Sequence, residues 1–373
     1  MKFLSLITYV AATLAAAPEQ INLHPTARRG VLSVDFVASA ADGFVSFSSG
    51  GGPFVAVNTT SFIFDTIGFM HQATLDLSAV PIGAKALYRV ATSAGSSTTF
   101  SITPQVAVPK YAVYGDFGLV NDESMDDIIK FATAGEFDTV LHVGDWAYDL
   151  EDLFSLTGNA FMNLAQGYQS IKPVAVAEGN HEACTICSPV PAFPGSENSH
   201  GYNFTQYKAR FHSVSLNSNT GSNRYYSFED GLTHFLVFTA ESYLYARSDV
   251  FNANQLAFMK ADLAAVNRSA TPWVVALVHK DWNMAEEAYA AFAPVLQAAN
   301  VDILFCGHVH YYNRYLPYNS VTGDVDNASV SPDQHTCVIS LSCSPCHKPP
   351  HPHSPAPSHP FPPLIDIQIP SIW

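Results

Sequence analysis

The fold is decided by residues 139–148, which read Thr139-Val140-Leu141-His142-Val143-Gly144-Asp145-Trp146-Ala147-Tyr148. The first half is a short, mostly apolar run with β-branched residues, which is typical of a strand buried on both faces. The second half begins with glycine and brings a carboxylate and a phenol directly after that strand. The stretch therefore predicts a buried strand with potential metal ligands at its carboxyl end.

Four other apolar runs of the same region lead into potential ligands in a comparable way. With the first, the predicted strands are Tyr111–Tyr114, Thr139–Val143, Val174–Ala177, Trp273–Val278 and Val301–Cys306. The groups that follow them are Gly115-Asp116-Phe117-Gly118, Gly144-Asp145-Trp146-Ala147-Tyr148, Gly179-Asn180-His181-Glu182, His279, and Gly307-His308-Val309-His310. Because sites gather at the carboxyl ends of strands in open α/β sheets, we expect these groups to converge. We expect the glycines to let the backbone turn sharply just past the sheet.

Segments with helical periodicity separate the strands, which predicts an α/β layer structure after Pro109. The predicted helices are Glu123–Ala134, Gln255–Val266 and Glu286–Ala299. Pro294 lies inside the third segment, where a missing backbone donor predicts a kink or a split.

Each motif alone also has an ordinary structural explanation. Gly-Asp after a strand is most often a turn, a single histidine such as His279 is more often a core or surface residue, and Tyr148 alone would be a packing residue. His308 and His310, two apart on an extended segment, would face the same way and could share a metal. The joint occurrence of five such groups in one domain is what favours a site.

The ordered motifs GDFG, GDWAY, GNHE, a strand ending in Val-His, and GHVH resemble the five blocks of the metallophosphoesterase superfamily. The tyrosine of GDWAY makes the chain most similar to purple acid phosphatases, and the resemblance covers roughly residues 18–320. It implies a four-layer α/β/β/α metallophosphoesterase domain at 109–330, with either a complete or an incomplete second sheet, since the chain turns Pro- and His-rich after this region. A fibronectin-like all-β sandwich is implied at 18–108, where Val31–Val37, Gly43–Phe47 and similar short runs separated by turns predict strands.

The resemblance also implies seven ligands for two adjacent metal ions. Those expected to hold Fe(III) are Asp116, Tyr148 and His310. Those expected to hold a divalent zinc, manganese or iron ion are Asn180, His279 and His308. The bridging carboxylate is Asp145. The donor chemistry agrees, because carboxylate and phenolate oxygens are hard anionic donors suited to trivalent iron, whereas amide and imidazole groups suit a divalent ion.

The function implied by the resemblance is that of an acid phosphatase, a hydrolase that cleaves small phosphate monoesters with a metal-activated hydroxide. His181 would contact the phosphate and help protonate the leaving group. Lys280 could attract phosphate, although a solvated surface lysine is the preferred interpretation. Two alternatives stay open, namely hydrolysis of phosphodiesters or nucleotide pyrophosphates by the same metals, and a truncated, non-catalytic secreted relative or binding module. The formal net charge of −15 excludes a general nucleic-acid binder.

The N-terminus is typical of a signal peptide over residues 1–17, with Lys2, the mainly apolar run Phe3–Leu14 and the A-x-A pattern at Ala15–Ala17. The run is too short and interrupted to span a bilayer. Potential N-glycosylation sites lie at Asn58, Asn203, Asn267 and Asn327. We therefore expect a secreted glycoprotein without a membrane span.

The C-terminal residues 331–373 are rich in proline and histidine, which predicts a disordered tail. Cys184 and Cys187 would either close a small disulfide loop or stay as two thiols. Cys306 is expected in the core. Cys343-Ser344-Pro345-Cys346-His347 matches a haem-attachment pattern, for which a chance match or adventitious metal binding is preferred.

Overall fold

The structure is a computed structural model, which describes residues 17–64, 68–119, 121–153, 155–183, 204–245, 247–280, 284–310, 312–314, 337–340 and 367–368. In these residues the chain passes from an all-β region into a mixed α/β region, as the sequence predicts. The signal peptide, the sites at Asn203 and Asn327, and the two Cys-x-x-Cys motifs lie outside the described residues and stay predictions.

The N-terminal region consists of short antiparallel strands. They are β1 Glu19–Pro25, β2 Val31–Ala38, β3 Phe44–Ser49, β4 Val55–Asn58, β5 Thr60–Phe64, β6 Gly68–Asp76, β7 Ala86–Thr92, β8 Gly95–Ser96 and β9 Phe100–Ile102. One sheet has the order β1-β2-β6-β5 and the other β4-β3-β7-β8, with β9 also pairing with β7. Phe36 of the first sheet and Tyr88 of the second lie in one buried cluster. This arrangement fits the expected sandwich.

The α/β region contains two larger sheets. Its strands are β10 Tyr111–Tyr114, β11 Phe117–Gly118, β12 Thr139–His142, β13 Trp146–Ala147, β14 Val174–Val176, β15 Tyr226–Asp230, β16 Thr233–Val237, β17 Trp273–Leu277, β18 Ile303–Cys306, β19 Asn313–Arg314, β20 Cys337–Ser340 and β21 Ile367–Gln368. The parallel sheet has the order β14-β12-β10-β21, and the mixed sheet β15-β16-β17-β18-β20-β19. The five predicted strands are β10, β12, β14, β17 and β18, so they are confirmed but divided between the two sheets.

Helices flank these sheets. They are α1 Met125–Ala134, α2 Leu156–Gln169, α3 Thr205–Arg210, α4 His212–Asn217, α5 Glu241–Leu244, α6 Asp249–Ala265 and α7 Glu286–Ala298. The three predicted helices are therefore confirmed as α1, α6 and α7. A split at Pro294 is wrong, because α7 continues through it. The neighbouring Phe292 and Leu296 are buried, and their packing offsets a proline cost of about 3 kcal/mol.

Side-chain alternation along β16 to β18 assigns each face of the mixed sheet to a different core. Phe235, Val275 and Phe305 share a buried cluster with residues of the parallel sheet. Leu236, Ala276 and Leu304, each next along its strand, lie in a cluster with residues of α6 and α7. This packing is compatible with the implied α/β/β/α order, which as a whole stays a prediction.

Two short strands lie within residues 331–373, where the sequence predicts a disordered tail. β20 pairs in parallel with β18, and β21 pairs in parallel with β10. The apolar pair Val338-Ile339 explains why this part of an otherwise Pro- and His-rich segment extends a sheet. Cys306 is buried in β18, as expected. Among the described helices, none has the length and apolar composition that a bilayer crossing requires.

The sandwich contacts the α/β region through a buried polar junction. Arg210 of α3 donates hydrogen bonds to Gln20 Oε1 at 2.6 Å and to Asn159 Oδ1 at 2.7 Å. Gln20 belongs to β1 and Asn159 to α2, so one guanidinium connects both regions. Arg210 is 1% exposed, and burial makes the loss of its donors costly.

We expect Arg210→Met to lower the free energy of unfolding by about 2–4 kcal/mol, because it leaves buried acceptors without a charged donor. Urea denaturation followed by circular dichroism measures this change. The control is Arg28→Met, which removes an exposed ion pair with Asp76 and should change the free energy by about 1 kcal/mol or less. Equal losses in the two variants would contradict the role of the junction.

Candidate metal centre

The structure brings all seven predicted ligands together where the carboxyl ends of the two sheets meet. Asp116, Asp145 and Asn180 follow β10, β12 and β14 of the parallel sheet, while His279 and the His308–His310 segment follow β17 and β18 of the mixed sheet. The site therefore lies between two sheets rather than along the edge of one. Its donor atoms form two adjacent groups.

The first group consists of Asp116, Tyr148 and His310. The Tyr148 hydroxyl lies 2.6 Å from His310 Nε2 and 3.4 Å from Asp116 Oδ1. His310 Nε2 lies 3.4 Å from the same Asp116 oxygen. A carboxylate, a phenol and an imidazole thus face one point, and such separations suit donors that share a single ion at about 2.0–2.2 Å.

The second group consists of Asp145, Asn180, His279 and His308. His279 Nε2 lies 3.2 Å from Asp145 Oδ2 and 3.1 Å from Asn180 Oδ1. Ligand atoms of Asp145, His279 and His308 all lie within 4.8 Å of one another. His308 and His310 therefore join different groups, so the expectation that they face the same way is wrong. The reason is a left-handed backbone at His308, with φ of 72°, which breaks the extended geometry.

Hydrogen bonds around His279 prepare it to bind a metal. Its Nδ1 lies 2.8 Å from the carbonyl oxygen of Val143, which accepts a hydrogen bond and leaves Nε2 for the centre. Such an outer partner fixes the tautomer and orientation of metal-binding histidines. His279 is completely buried, so its geometry is set by its surroundings. The donor set therefore fits a metal centre.

The electrostatics also favour a cation. Burial would lower the pKa of His279, but the negative charges of Asp145, Asp116 and Glu241 raise it to about 10. Burial and the positive charges of Lys280 and His279 lower the pKa of His308 to about 3, which favours a neutral imidazole. Asp116 and Asp145 are 0% and 1% exposed. Buried carboxylates of this kind require compensating positive charge.

The backbone at the site turns through left-handed residues, among them Gly144 with φ of 99°, as the sequence predicts for a glycine beside a ligand. Asp116, Asp145 and Tyr148 have positive φ angles of 56°, 56° and 49°, which non-glycine residues adopt only at a cost. The neighbouring glycines also allow the ligand side chains to lie close to the backbone. A Cβ atom at Gly179 would lie 2.2 Å from Asp145 Oδ1, and one at Gly144 would lie 2.7 Å from His279 Nδ1. Glycine therefore leaves space for the ligands.

Glu182 connects two of the ligand loops, a role that the sequence reading missed. Its carboxylate accepts hydrogen bonds from the backbone nitrogens of Asp145 at 3.0 Å, Trp146 at 2.6 Å and Gly179 at 2.6 Å. The side chain is completely buried. The only sequence signal was its position at the end of the GNHE motif. Glu182 holds the loops after β12 and β14 at a fixed separation.

His181, the residue expected to contact phosphate, lies at the open side of the centre. Its Nδ1 lies 3.0 Å from Asp149 Oδ1, and 29% of its side chain is exposed. Burial would lower the pKa of His181, but the hydrogen bond with Asp149 and the charge of Asp145 raise it above the ordinary value. Asp149 was missed because it lies one residue beyond the quoted GDWAY motif. The pair keeps the imidazole oriented and favours its protonated form.

Lys280 is buried, so its interpretation as a solvated surface residue is wrong. Its side chain is 4% exposed, and its ammonium lies 2.9 Å from Glu241 Oε2. Glu241 precedes the helical periodicity that marks α6 and had no motif around it, so sequence reasoning missed it.

Among the predicted glycosylation sites, Asn58 and Asn267 are exposed. Their modification stays a prediction.

Comparisons with known proteins agree with this geometry. The profile of the calcineurin-like phosphoesterase family matches residues 109–312. The chain is 28% identical to acid phosphatase type 7 of Mus musculus over 366 residues, and 30% identical to purple acid phosphatase 21 of Arabidopsis thaliana over 236 residues. A structure of purple acid phosphatase from yellow lupin (Lupinus luteus) seeds aligns with a TM-score of 0.69 at 18% identity. At that identity the likeness shows the fold alone.

The shared regions differ in extent. The alignment with the mouse protein covers 87% of this chain and 77% of the relative. The alignment with the Arabidopsis protein covers 60% of this chain and 49% of the relative. For the lupin structure the values are 87% and 64%. The chain thus spans about half of one relative and under two thirds of the aligned structure.

We predict that Asp145→Asn strongly impairs the retention of metal ions from both groups. Neutralising a buried carboxylate between two groups of donors removes charge that each ion needs, and we expect at least about tenfold less bound metal. Elemental analysis of the purified variant measures the metal content per chain. Asp126→Asn, on the exposed first turn of α1, is the control and should keep its metals. Unchanged metal content in Asp145→Asn would remove this residue from the bridging role.

Proposed function

The chain belongs to the calcineurin-like phosphoesterase family, and on that premise we propose that it is a secreted, purple acid phosphatase-like enzyme that hydrolyses phosphate monoesters. The observation that carries this proposal is the position of the Tyr148 hydroxyl, 2.6 Å from His310 and 3.4 Å from Asp116. A phenol within the donor set is a hard anionic ligand once deprotonated, which favours trivalent iron. The exposed Asn58 and Asn267 agree with a glycosylated, secreted protein.

We assign the ions by donor chemistry. The residues that would hold Fe(III) are Asp116, Tyr148 and His310. The residues that would hold a divalent zinc, manganese or iron ion are Asn180, His279 and His308. Asp145 would serve both. When bound, such a pair neutralises phosphate charge and lowers the pKa of water, which removes the need for a serine or cysteine nucleophile.

A local positive centre is required because the chain as a whole repels anions. Its formal net charge is −15, from 17 basic and 32 acidic residues. Long-range steering would therefore slow the approach of a phosphate ester. Binding must depend on positive charge concentrated at the site, and phosphate affinity should be lost together with the ions.

In this proposal His181 protonates the leaving group. Its Nδ1 faces Asp149, so Nε2 is left to carry a proton on the other side of the ring. Burial lowers the pKa of His181, but the hydrogen bond with Asp149 together with the charges of Asp145 and Asp149 raises it above the ordinary value, which favours the charged imidazole. A protonated, partly exposed imidazole can give its proton to a departing alkoxide. Asp149 orients the ring without touching substrate.

The proposal is tested by metal analysis, a visible spectrum and assays on matched phosphate mono- and diesters. We expect two metals per chain, a tyrosinate-to-iron charge-transfer band and faster monoester cleavage at mildly acidic pH. Tyr148→Phe should lose the band, because the phenol oxygen is gone. Tyr225→Phe, whose ring packs on Phe251 and Phe258, is the control and should keep it. Faster cleavage of diesters, or folded protein without metal, would overturn the proposal.

We expect Asp149→Asn to lower kcat for alkyl phosphates by about tenfold or more while KM changes little, because a misoriented acid acts mainly in the transition state. Nitrophenyl phosphate should be less affected, since its leaving group needs little protonation. Steady-state kinetics on both substrates measure the difference. In a double variant with His181→Asn, the Asp149 change should add no further loss. Additive losses would show that Asp149 does not act through His181.

A further inference from the structure

Lys280 directly follows a candidate ligand, His279, and its ammonium has three close polar neighbours. These are Asn180 Oδ1 at 2.8 Å, Glu241 Oε2 at 2.9 Å and Glu241 Oε1 at 3.0 Å. The side chain of Lys280 is 4% exposed and that of Glu241 is 0% exposed. A buried ion pair thus contacts the oxygen that would bind the divalent ion.

Stability alone is a weak reason for such a pair. Removing two charges from water costs about as much as their attraction returns, and apolar residues of similar volume often serve as well. The pair is nevertheless satisfied in full, because the ammonium has three donors and three acceptors in reach. The acceptor that does not belong to the pair is Asn180, and this contact points to a role at the site.

An asparagine ligand has an orientation problem that Lys280 can solve. The amide oxygen and the amide nitrogen are nearly the same size, but only the oxygen can bind a metal, whereas the NH₂ group is a donor. An ammonium is a donor only, so it favours the amide oxygen on its own side. The same Asn180 oxygen lies 3.1 Å from His279 Nε2, at the centre of the second group.

We propose that Lys280, held by Glu241, is a positioning residue that turns the amide oxygen of Asn180 towards the centre and thereby sets the affinity for the divalent ion. The inference rests on the proposed function only in that Asn180 is taken as a ligand. Glu241 offsets part of the charge of Lys280, which weakens the repulsion between the ammonium and the ion. Lys280 in turn occupies the Glu241 carboxylate, which would otherwise be a free anionic ligand next to the centre.

The hydrogen-bond network extends beyond Glu241 to Glu178, which directly precedes the Gly179-Asn180-His181-Glu182 motif. The Glu241 nitrogen donates to Thr239 Oγ1 at 3.0 Å, and that hydroxyl donates to Glu178 Oε1 at 2.7 Å. Glu178 also accepts two hydrogen bonds from Arg224, at 2.5 and 2.6 Å. Glu178 lies two residues before Asn180. The side chains of Glu178 and Asn180 are therefore anchored to the same network.

The test compares two double variants that each remove both charges. Lys280→Met with Glu241→Leu deletes the donor that position 280 offers to Asn180, whereas Lys280→Gln with Glu241→Gln keeps an amide donor there. Zn²⁺ dissociation constants are measured on the full chain by competition with a chromophoric chelator. Iron content and the tyrosinate band are followed in parallel as a readout of the first group.

We expect the Met/Leu variant to bind Zn²⁺ about 10–100-fold more weakly, the usual loss when an outer partner of a metal ligand is removed. The Gln/Gln variant should recover most of the affinity, and both variants should keep iron, because Asp116, Tyr148 and His310 are unchanged. A purely structural role would instead lower iron and zinc together. Unchanged Zn²⁺ affinity in Met/Leu, or equal loss of both metals, would overturn the inference.

The proposed function has a separate outcome. A parent chain that binds Zn²⁺ but cleaves no phosphate ester would contradict the phosphatase assignment and leave the role of Lys280 intact. A parent chain that hydrolyses monoesters, with a Met/Leu variant of unchanged Zn²⁺ affinity, would contradict only the role of Lys280. A parent chain that binds none of Zn²⁺, Mn²⁺ and Fe²⁺ would overturn both.

Discussion

The site depends on two buried carboxylates whose negative charge must be compensated by nearby hydrogen-bond donors and positive groups. Asp116 and Asp145 are 0% and 1% exposed, and each lies directly after a strand of the parallel sheet. Taking such groups out of water costs several kcal/mol unless positive charge or donors compensate. Backbone nitrogens supply part of the compensation. The His308 nitrogen donates to the Asp116 carboxylate at 2.9 Å, and the His181 nitrogen donates to the Asp145 carboxylate at 3.0 Å. Two metal ions would supply the rest.

Strand ends and buried hydrogen bonds hold the strained loops that carry these carboxylates. Left-handed backbone at Asp116 and Asp145 costs about 1–3 kcal/mol per residue and persists only when the surroundings determine it. The Asp116 nitrogen donates to the Gly144 oxygen at 2.9 Å, so the two loops brace each other. The Glu182 carboxylate accepts three hydrogen bonds from backbone nitrogens of the loops after β12 and β14. Rigidity of this kind keeps donors in place before a ligand arrives.

The sequence predicts the convergence of the seven candidate ligands because each belongs to a short local motif at the end of an apolar run. The sequence predicts local structure and burial less well where these depend on contacts between distant residues. α2 was missed because buried polar residues such as Thr157 and Asn159 interrupt any apolar stripe. The burial of Lys280 depends on Glu241, which lies 39 positions away. β20 and β21 were missed because their few extended residues pair with distant strands, and local composition indicated solvated chain.

The loop that carries Asn180 and His181 follows β14, which pairs with only one neighbouring strand of this sheet among the described residues. The rigidity of this loop must therefore come from other contacts. β14 is the last strand of the parallel sheet. The Tyr226 hydroxyl accepts from the Val176 nitrogen at 2.9 Å, and Tyr207 donates to the Val176 oxygen at 3.1 Å. At the other end of β14, His24 of the sandwich lies 2.8 Å from the Val174 oxygen. Side chains thus satisfy the edge that a strand would otherwise cover. The sandwich therefore supports the strand that leads to the candidate metal centre.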